Sequence, residues 1–150
     1  MPVDITEFTM RDYDEAIALW RRSQGVSLRG ADGRDAIERY LRRNPGLSFV
    51  ARADGALVGA VLCGHDGRRG YLHHLAVAEA HRGQGGCPLG GWSALAERCL
   101  AALRSLGIEK CHLFVVRDHA DARAFWRRAG WEERTDVQLM SRTMSASPNA

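Results

Sequence analysis

Two periodicities divide the chain. Through its first half the apolar residues fall in short runs, Phe49–Arg52, Leu57–Cys63 and Tyr71–Val77, and runs of that length bounded by turn residues read as strands. Asp54-Gly55 joins the first two, a pair that predicts a type I′ hairpin because both central residues of that turn need positive φ. Asp66-Gly67 leads into the third run, giving a three-strand antiparallel meander, and Val3–Phe8 adds a short strand ahead of it. Beyond Val77 the period lengthens. Trp92, Leu95, Cys99, Leu103 and Leu106 keep helical spacing, with Gly107 as the expected C-cap. A strand at Cys111–Val116, a helix at about Ala120–Ala129 closed by Gly130, and an extended return through Val137–Met140 follow.

Two further helices precede the meander. Thr9-Met10-Arg11-Asp12 has the spacing of a capping box and opens a helix through Trp20, with Ile17 and Trp20 on its apolar face. A second covers Asp35–Arg43 and ends at Asn44-Pro45-Gly46. Hairpins first and a βαβαβ order afterwards predict an α/β fold with a mixed central sheet flanked by about four helices. With no repeat and no linker, residues 1–140 read as one domain, and the small polar residues and Pro148 of 141–150 predict a flexible tail.

Composition narrows the function classes. A chain of 150 residues buries roughly 70% of its unfolded surface, enough for a core without staples. No apolar run approaches the ~18 residues of a membrane span, and Met1–Phe8 has no basic-then-apolar leader, so the expectation is a cytoplasmic protein without a membrane partner. Cys63, Cys87, Cys99 and Cys111 are scattered and read as free thiols. Cys63-x-His65 and Cys111-His112 lack the paired spacing of structural zinc, so no metal is expected. The net charge is +3, yet the arginines lie in separate pairs (Arg21-Arg22, Arg42-Arg43, Arg127-Arg128) rather than clustered as phosphate-backbone binding requires. That argues against nucleic acid and still allows mild attraction for an anionic ligand.

The candidate chemistry begins at Leu75-Ala76-Val77-Ala78-Glu79-Ala80-His81-Arg82-Gly83-Gln84-Gly85-Gly86: strand, turn, glycine loop, helix. Such a loop offers bare N–H groups, and the helix after it adds its positive dipole end, which together suit a pyrophosphate. Neither the Walker pattern nor the dinucleotide pattern fits these glycines.

Arg82-Gly83-Gln84-Gly85 resembles the first half of the coenzyme A signature, Arg/Gln-x-x-Gly-x-Gly/Ala, of the GNAT superfamily of N-acetyltransferases. Leu113-x-Val115, then His119-x-x-Ala122-x-x-Phe125-Trp126-x-x-x-Gly130-Trp131, is similar to that family's C-terminal segment, and the likeness spans about Val3 to Met140. The resemblance implies a small bacterial-type member with the GNAT fold, in which parallel strands splay around the cofactor. It implies acetyl-CoA as co-substrate and acetyl transfer to an amine of a small molecule or peptide. Leu75, Ala76, Val77, Arg82, Gly83, Gln84, Gly85, Gly86, Cys87, Gly90, His119, Phe125 and Trp126 are the cofactor-binding positions carried over. A homodimer is carried over in the same way.

The resemblance places backbone N–H groups near Val77 against the acetyl carbonyl, an oxyanion-hole role in which one donor is worth roughly 3 kcal/mol. An attacking amine of pKa about 10.4 is protonated at neutral pH, so a base is useful. His73 is the candidate, matching a catalytic histidine that similar arylalkylamine acetyltransferases carry in His-x-Leu-Ala-Val; a half-buried, hydrogen-bonded strand histidine is the competing account. Strand alternation sets Tyr71, His73, Leu75 and Val77 on one face and His74 on the other.

Two departures from the family pattern stand out. Trp126 occupies the position of the tyrosine that serves many members as acid, and an indole N–H cannot take that role, which leaves Tyr71 or solvent to protonate the thiolate. Gly86-Cys87-Pro88-Leu89-Gly90-Gly91-Trp92-Ser93 is longer than the expected loop. Either the helix starts late, near Gly91, or Cys87 takes the Gly/Ala site with Pro88 first in the helix, and both registers are open. Cys87 itself reads as loop filler before reactive thiol. These departures motivate a second class of function, a catalytically silent acyl-CoA-binding module.

Overall fold

The computed structural model describes residues 3–82 and 90–150. Among the described residues five strands form one sheet in chain order: β1 Asp4–Glu7, β2 Phe49–Ala53, β3 Ala56–His65, β4 Gly70–Val77 and β5 Cys111–Leu113. The first three pairings are antiparallel and β4–β5 is parallel. Helices α1 Tyr13–Arg21 and α2 Arg34–Arg43 lie between β1 and β2, α3 Gly90–Ser105 lies between β4 and β5, and α4 Ala120–Arg128 follows β5.

The termini of these elements follow their residues. The Asp12 carboxylate accepts from the Thr9 N–H at 2.9 Å, the reciprocal half of a capping box, and a 3-10 turn at Met10–Asp12 leads into α1. Asp54 and Gly55 both have positive φ, 49° and 80°, as a type I′ hairpin requires. At the end of α3, Gly107 takes φ 81°, and the Ile108 N–H reaches back to the Leu103 carbonyl at 3.1 Å, closing a Schellman motif.

Two cores sandwich the sheet. On one face Ile17, Trp20 and Ile37 from α1 and α2 meet Val50, Leu62 and Ala76. On the other, Leu95, Cys99 and Leu103 of α3 meet Phe49, Val61 and Leu72. Leu106 departs from the predicted stripe. It is 55% exposed because α3 has ended and the cap turns the chain, so that Ile108 takes the inward place instead. The strand expected over Cys111–Val116 is also cut short, pairing only as far as Leu113 and leaving Phe114 and Val116 exposed. The return expected through Val137–Met140 forms no strand among the described residues. Val137, Leu139 and Met140 are exposed, since apolar character makes a strand only where a free edge accepts its N–H and C=O groups. In the tail, Asn149 accepts a hydrogen bond from the Gly30 N–H at 2.7 Å.

The largest correction lies inside β4. Ala60 pairs with Ala76, but Leu62 pairs with His73, so His74 and Leu75 together stand opposite Val61. This is a β-bulge, and His74 within it has φ 54°. The extra residue breaks the predicted alternation. Leu72, Leu75 and Val77 belong to the α3 face, whereas His73 lies against Tyr40 of α2 and His74 against Trp20 of α1. The two histidines therefore share a face.

Candidate active site

Parallel pairing between β4 and β5 stops at Leu72 and Leu113, and among the described residues β4 runs on to Val77 without a paired strand on that side. A cleft of about 520 Å³ opens where the strands part, within the size range of small-ligand sites. One wall is β4, through Leu72, His73, His74 and Leu75; the facing wall is Leu113–Val116 with His119 and Trp126. Gln24–Ser27, from the connection after α1, closes one end, and Arg82 and Trp92 close another.

Backbone direction along β4 gives this edge its chemistry. The Ala78 N–H bonds to Val58 across the sheet at 2.7 Å, so alternation turns the N–H and C=O of Val77 toward the parted edge. The Val77 carbonyl is taken there by Arg82 Nε at 2.7 Å. The guanidinium of Arg82 also lies over the Trp92 ring, 5.8 Å from its centroid. Val77 is buried as a side chain, so what it offers a ligand is backbone, whereas alternation turns the Ala76 backbone toward Ala60 of β3.

His73 lines the cleft between two rings, Tyr71 at 6.2 Å and Phe114 at 5.8 Å. Burial pushes its pKa below the usual value, the nearby His74 adds to the shift, and Asp32 opposes it. Tyr71 stacks on His73 and tilts against His112, behind the wall rather than in it. His119 caps α4, its Nδ1 accepting from the Ala122 N–H at 3.3 Å, which leaves Nε2 as the donor of the neutral ring. Phe125 packs edge-on between Trp92 and Trp126, each 5.0 Å away. Gly83, Gln84, Gly85, Gly86 and Cys87 fall outside the described residues, so both loop registers do too; Gly90 belongs to the first described turn of α3.

The model of the acetyltransferase (GNAT) family matches residues 13–131. The chain belongs to the GNAT family. This GNAT protein is 30% identical to an acetyltransferase of Yersinia enterocolitica over 140 residues, 93% of this chain and 95% of that one. It is 34% identical to an acetyltransferase of Pectobacterium atrosepticum over 117 residues, 78% and 79% of the two chains. Among solved structures, Ard1 from Thermoplasma volcanium superposes with a TM-score of 0.73 at 21% identity, covering 87% of this chain and 82% of that one. The PaiA N-acetyltransferase of Thermoplasma acidophilum, in complex with coenzyme A, gives 0.73 at 17% identity over 86% and 89%. These two likenesses establish the fold, and the family match with the sequence relatives makes the protein an acyltransferase of the acetyl-transferring kind.

What the GNAT resemblance left unmarked is Asp32. Its carboxylate is nearly buried, at 8% exposure, and Oδ1 accepts from His74 Nε2 at 2.8 Å while Oδ2 accepts from the Arg29 N–H at 2.8 Å. Burial raises the Asp32 pKa, but these hydrogen bonds outweigh it and hold the carboxyl below its usual value. A lone acid in a polar connection carries no periodic signal, and the bulge that turns His74 toward it has none either. The described cysteines Cys63, Cys99 and Cys111 are free thiols; burial pushes Cys111 up to about 12, and a hydrogen bond with Cys63, then burial, pushes Cys99 up, so both stay protonated and inert.

Proposed function

We propose that this enzyme transfers the acetyl group of acetyl-CoA directly to an amine of a small molecule or peptide held in the cleft. Among the described residues no helix is long and apolar enough to cross a membrane, and we place the enzyme in the cytoplasm. The observation that carries the catalytic reading is the parted β4 edge: the imidazole of His73 and Arg82, which holds the Val77 carbonyl at that edge, line one cleft.

The donors present suit the cofactor. Trp92 lines the cleft, and its Nε1 is buried without a hydrogen-bond partner among the described residues, a donor of the kind that calls for an acceptor. The Val77 N–H, the Arg82 guanidinium, Trp92 Nε1 and His119 Nε2 are the groups that would hold acetyl-CoA, together with the carried-over glycine-loop positions. When bound, acetyl-CoA supplies an activated acyl carbon. The Val77 amide polarises the carbonyl oxygen without any side chain taking part. His73, kept neutral by burial, accepts the proton that the amine nitrogen gives up as its bond to the acyl carbon forms and the carbon–sulfur bond breaks. Solvent returns a proton to the sulfur, because Tyr71 stands behind the cleft wall.

The test is release of free thiol from acetyl-CoA in the presence of a panel of primary amines, amino acids and short peptides. Amine-dependent release, with the acetylated amine found by mass spectrometry, is expected. Tight cofactor binding with no turnover on any amine overturns the enzymatic reading and leaves the silent acyl-CoA-binding module.

A further inference from the structure

We infer that Asp32 is a positioning residue for the acceptor half of the cleft, acting through His74; the inference rests on the amine acetyltransferase reading above. Asp32 closes a short 3-10 turn, Gly30–Asp32, in the connection between α1 and α2 whose earlier residues Gln24–Ser27 wall the cleft. Three separate attachments meet at this one residue. Its backbone carbonyl accepts from the Tyr13 hydroxyl at 2.7 Å, tying the turn to the start of α1. Its Oδ2 accepts from the Arg29 N–H, closing the turn on itself, and its Oδ1 accepts from His74 Nε2, tying the turn to the sheet. Tyr13 is fixed in turn by Arg34, whose guanidinium lies 4.7 Å from the ring centroid and pairs with Asp14 at 2.7 Å.

The other end of the contact is equally specific. His74 has φ 54°, a conformation that a side-chain-bearing residue keeps only where its surroundings hold it, and such residues gather at functional sites. What holds it is the Asp32 carboxylate at Nε2 and the Trp20 ring, 5.3 Å from the imidazole. The bulge held in this way decides which way β4 presents His73, while regular pairing resumes at Ala76 and Val77. A single buried carboxylate therefore fixes two parts of the site, the connection that faces the acceptor and the bulge that faces the reaction. Among the described residues neither Arg82 nor Trp92, on the cofactor side, makes a hydrogen bond, ion pair or ring contact with the pair.

A double-mutant cycle of Asp32→Ala and His74→Gly tests this, glycine being chosen because it keeps positive φ without strain. With the panel amine that the parent turns over fastest, each single variant is expected to raise KM for the amine about tenfold or more, with acetyl-CoA affinity within about twofold. The double variant is expected to be no worse than the poorer single. Hydrogen exchange of the amides in residues 24–33 should rise about tenfold in both singles. Additive losses, an unchanged amine KM, or acetyl-CoA affinity falling as far as amine affinity would each overturn the assignment. Should Asp32→Ala fail to fold, Asp32→Asn, which keeps the shape and one acceptor, should show the same changes in smaller degree, and full parental exchange protection in it would also overturn the role. If no amine is acetylated at all, the catalytic reading fails, and the exchange measurement still decides whether Asp32 and His74 pin the connection.

Discussion

An imidazole works as a base in its neutral form, and desolvation of His73 favours that form. His73→Ala should lower kcat by about 10²–10⁴-fold while the acetyl-CoA dissociation constant moves by no more than about twofold. A variant that keeps parental turnover and pH profile removes the assignment. The acid limb of the parent's kcat profile should fall below the ordinary histidine value of 6.5, because the folded protein binds this proton less tightly than a free histidine does. The same shift makes stability rise with pH: the neutral ring contributes fully above about 6.5, and the contribution is lost as pH falls toward the lower folded value. Trp126 gives the opposite expectation. Its indole has no acid to offer, so Trp126→Phe should leave kcat within about threefold even where it weakens the packing against Trp131, 5.4 Å away.

Among the elements, α3 and β4 decide the site, and each shows where periodicity stops being informative. Leu103 and Leu106 occupy equivalent places in the helical pattern, yet Leu103 is 1% exposed and Leu106 55%. Leu103→Ala should cost about 2–5 kcal/mol in urea unfolding, and Leu106→Ala no more than about 0.5 kcal/mol. Equal costs would mean that the helix does not end where its Schellman motif puts it. The turns were legible because their chemistry is local: Asp54-Gly55 and Gly107 need left-handed backbone, and few residues supply it. The bulge was not legible, since His74 is no glycine and its conformation is set by Asp32, 42 positions away. That one residue reverses the facing of everything after it, which is why Leu75 and Val77 lie opposite to the side that strict alternation assigned them.

For the whole molecule, the chain order of strands and helices and the three-strand meander were readable from runs and caps. The failures gather at the C-terminal end. There the apolar residues Val137, Leu139 and Met140 promised a strand, but a strand is a property of two partners, and among the described residues no edge is paired with them. Family membership was readable from two separated motifs, whereas the acceptor is not written in either, because one fold serves many acceptors. The account turns on the parted β4–β5 edge gripping acetyl-CoA. Calorimetric titration of the full chain with acetyl-CoA, paired with a thermal shift at saturation, measures that directly. One-site saturable heat and a raised Tm are predicted, since a ligand held by the native state alone stabilises it. Absence of heat together with an unmoved Tm at millimolar acetyl-CoA would contradict the account.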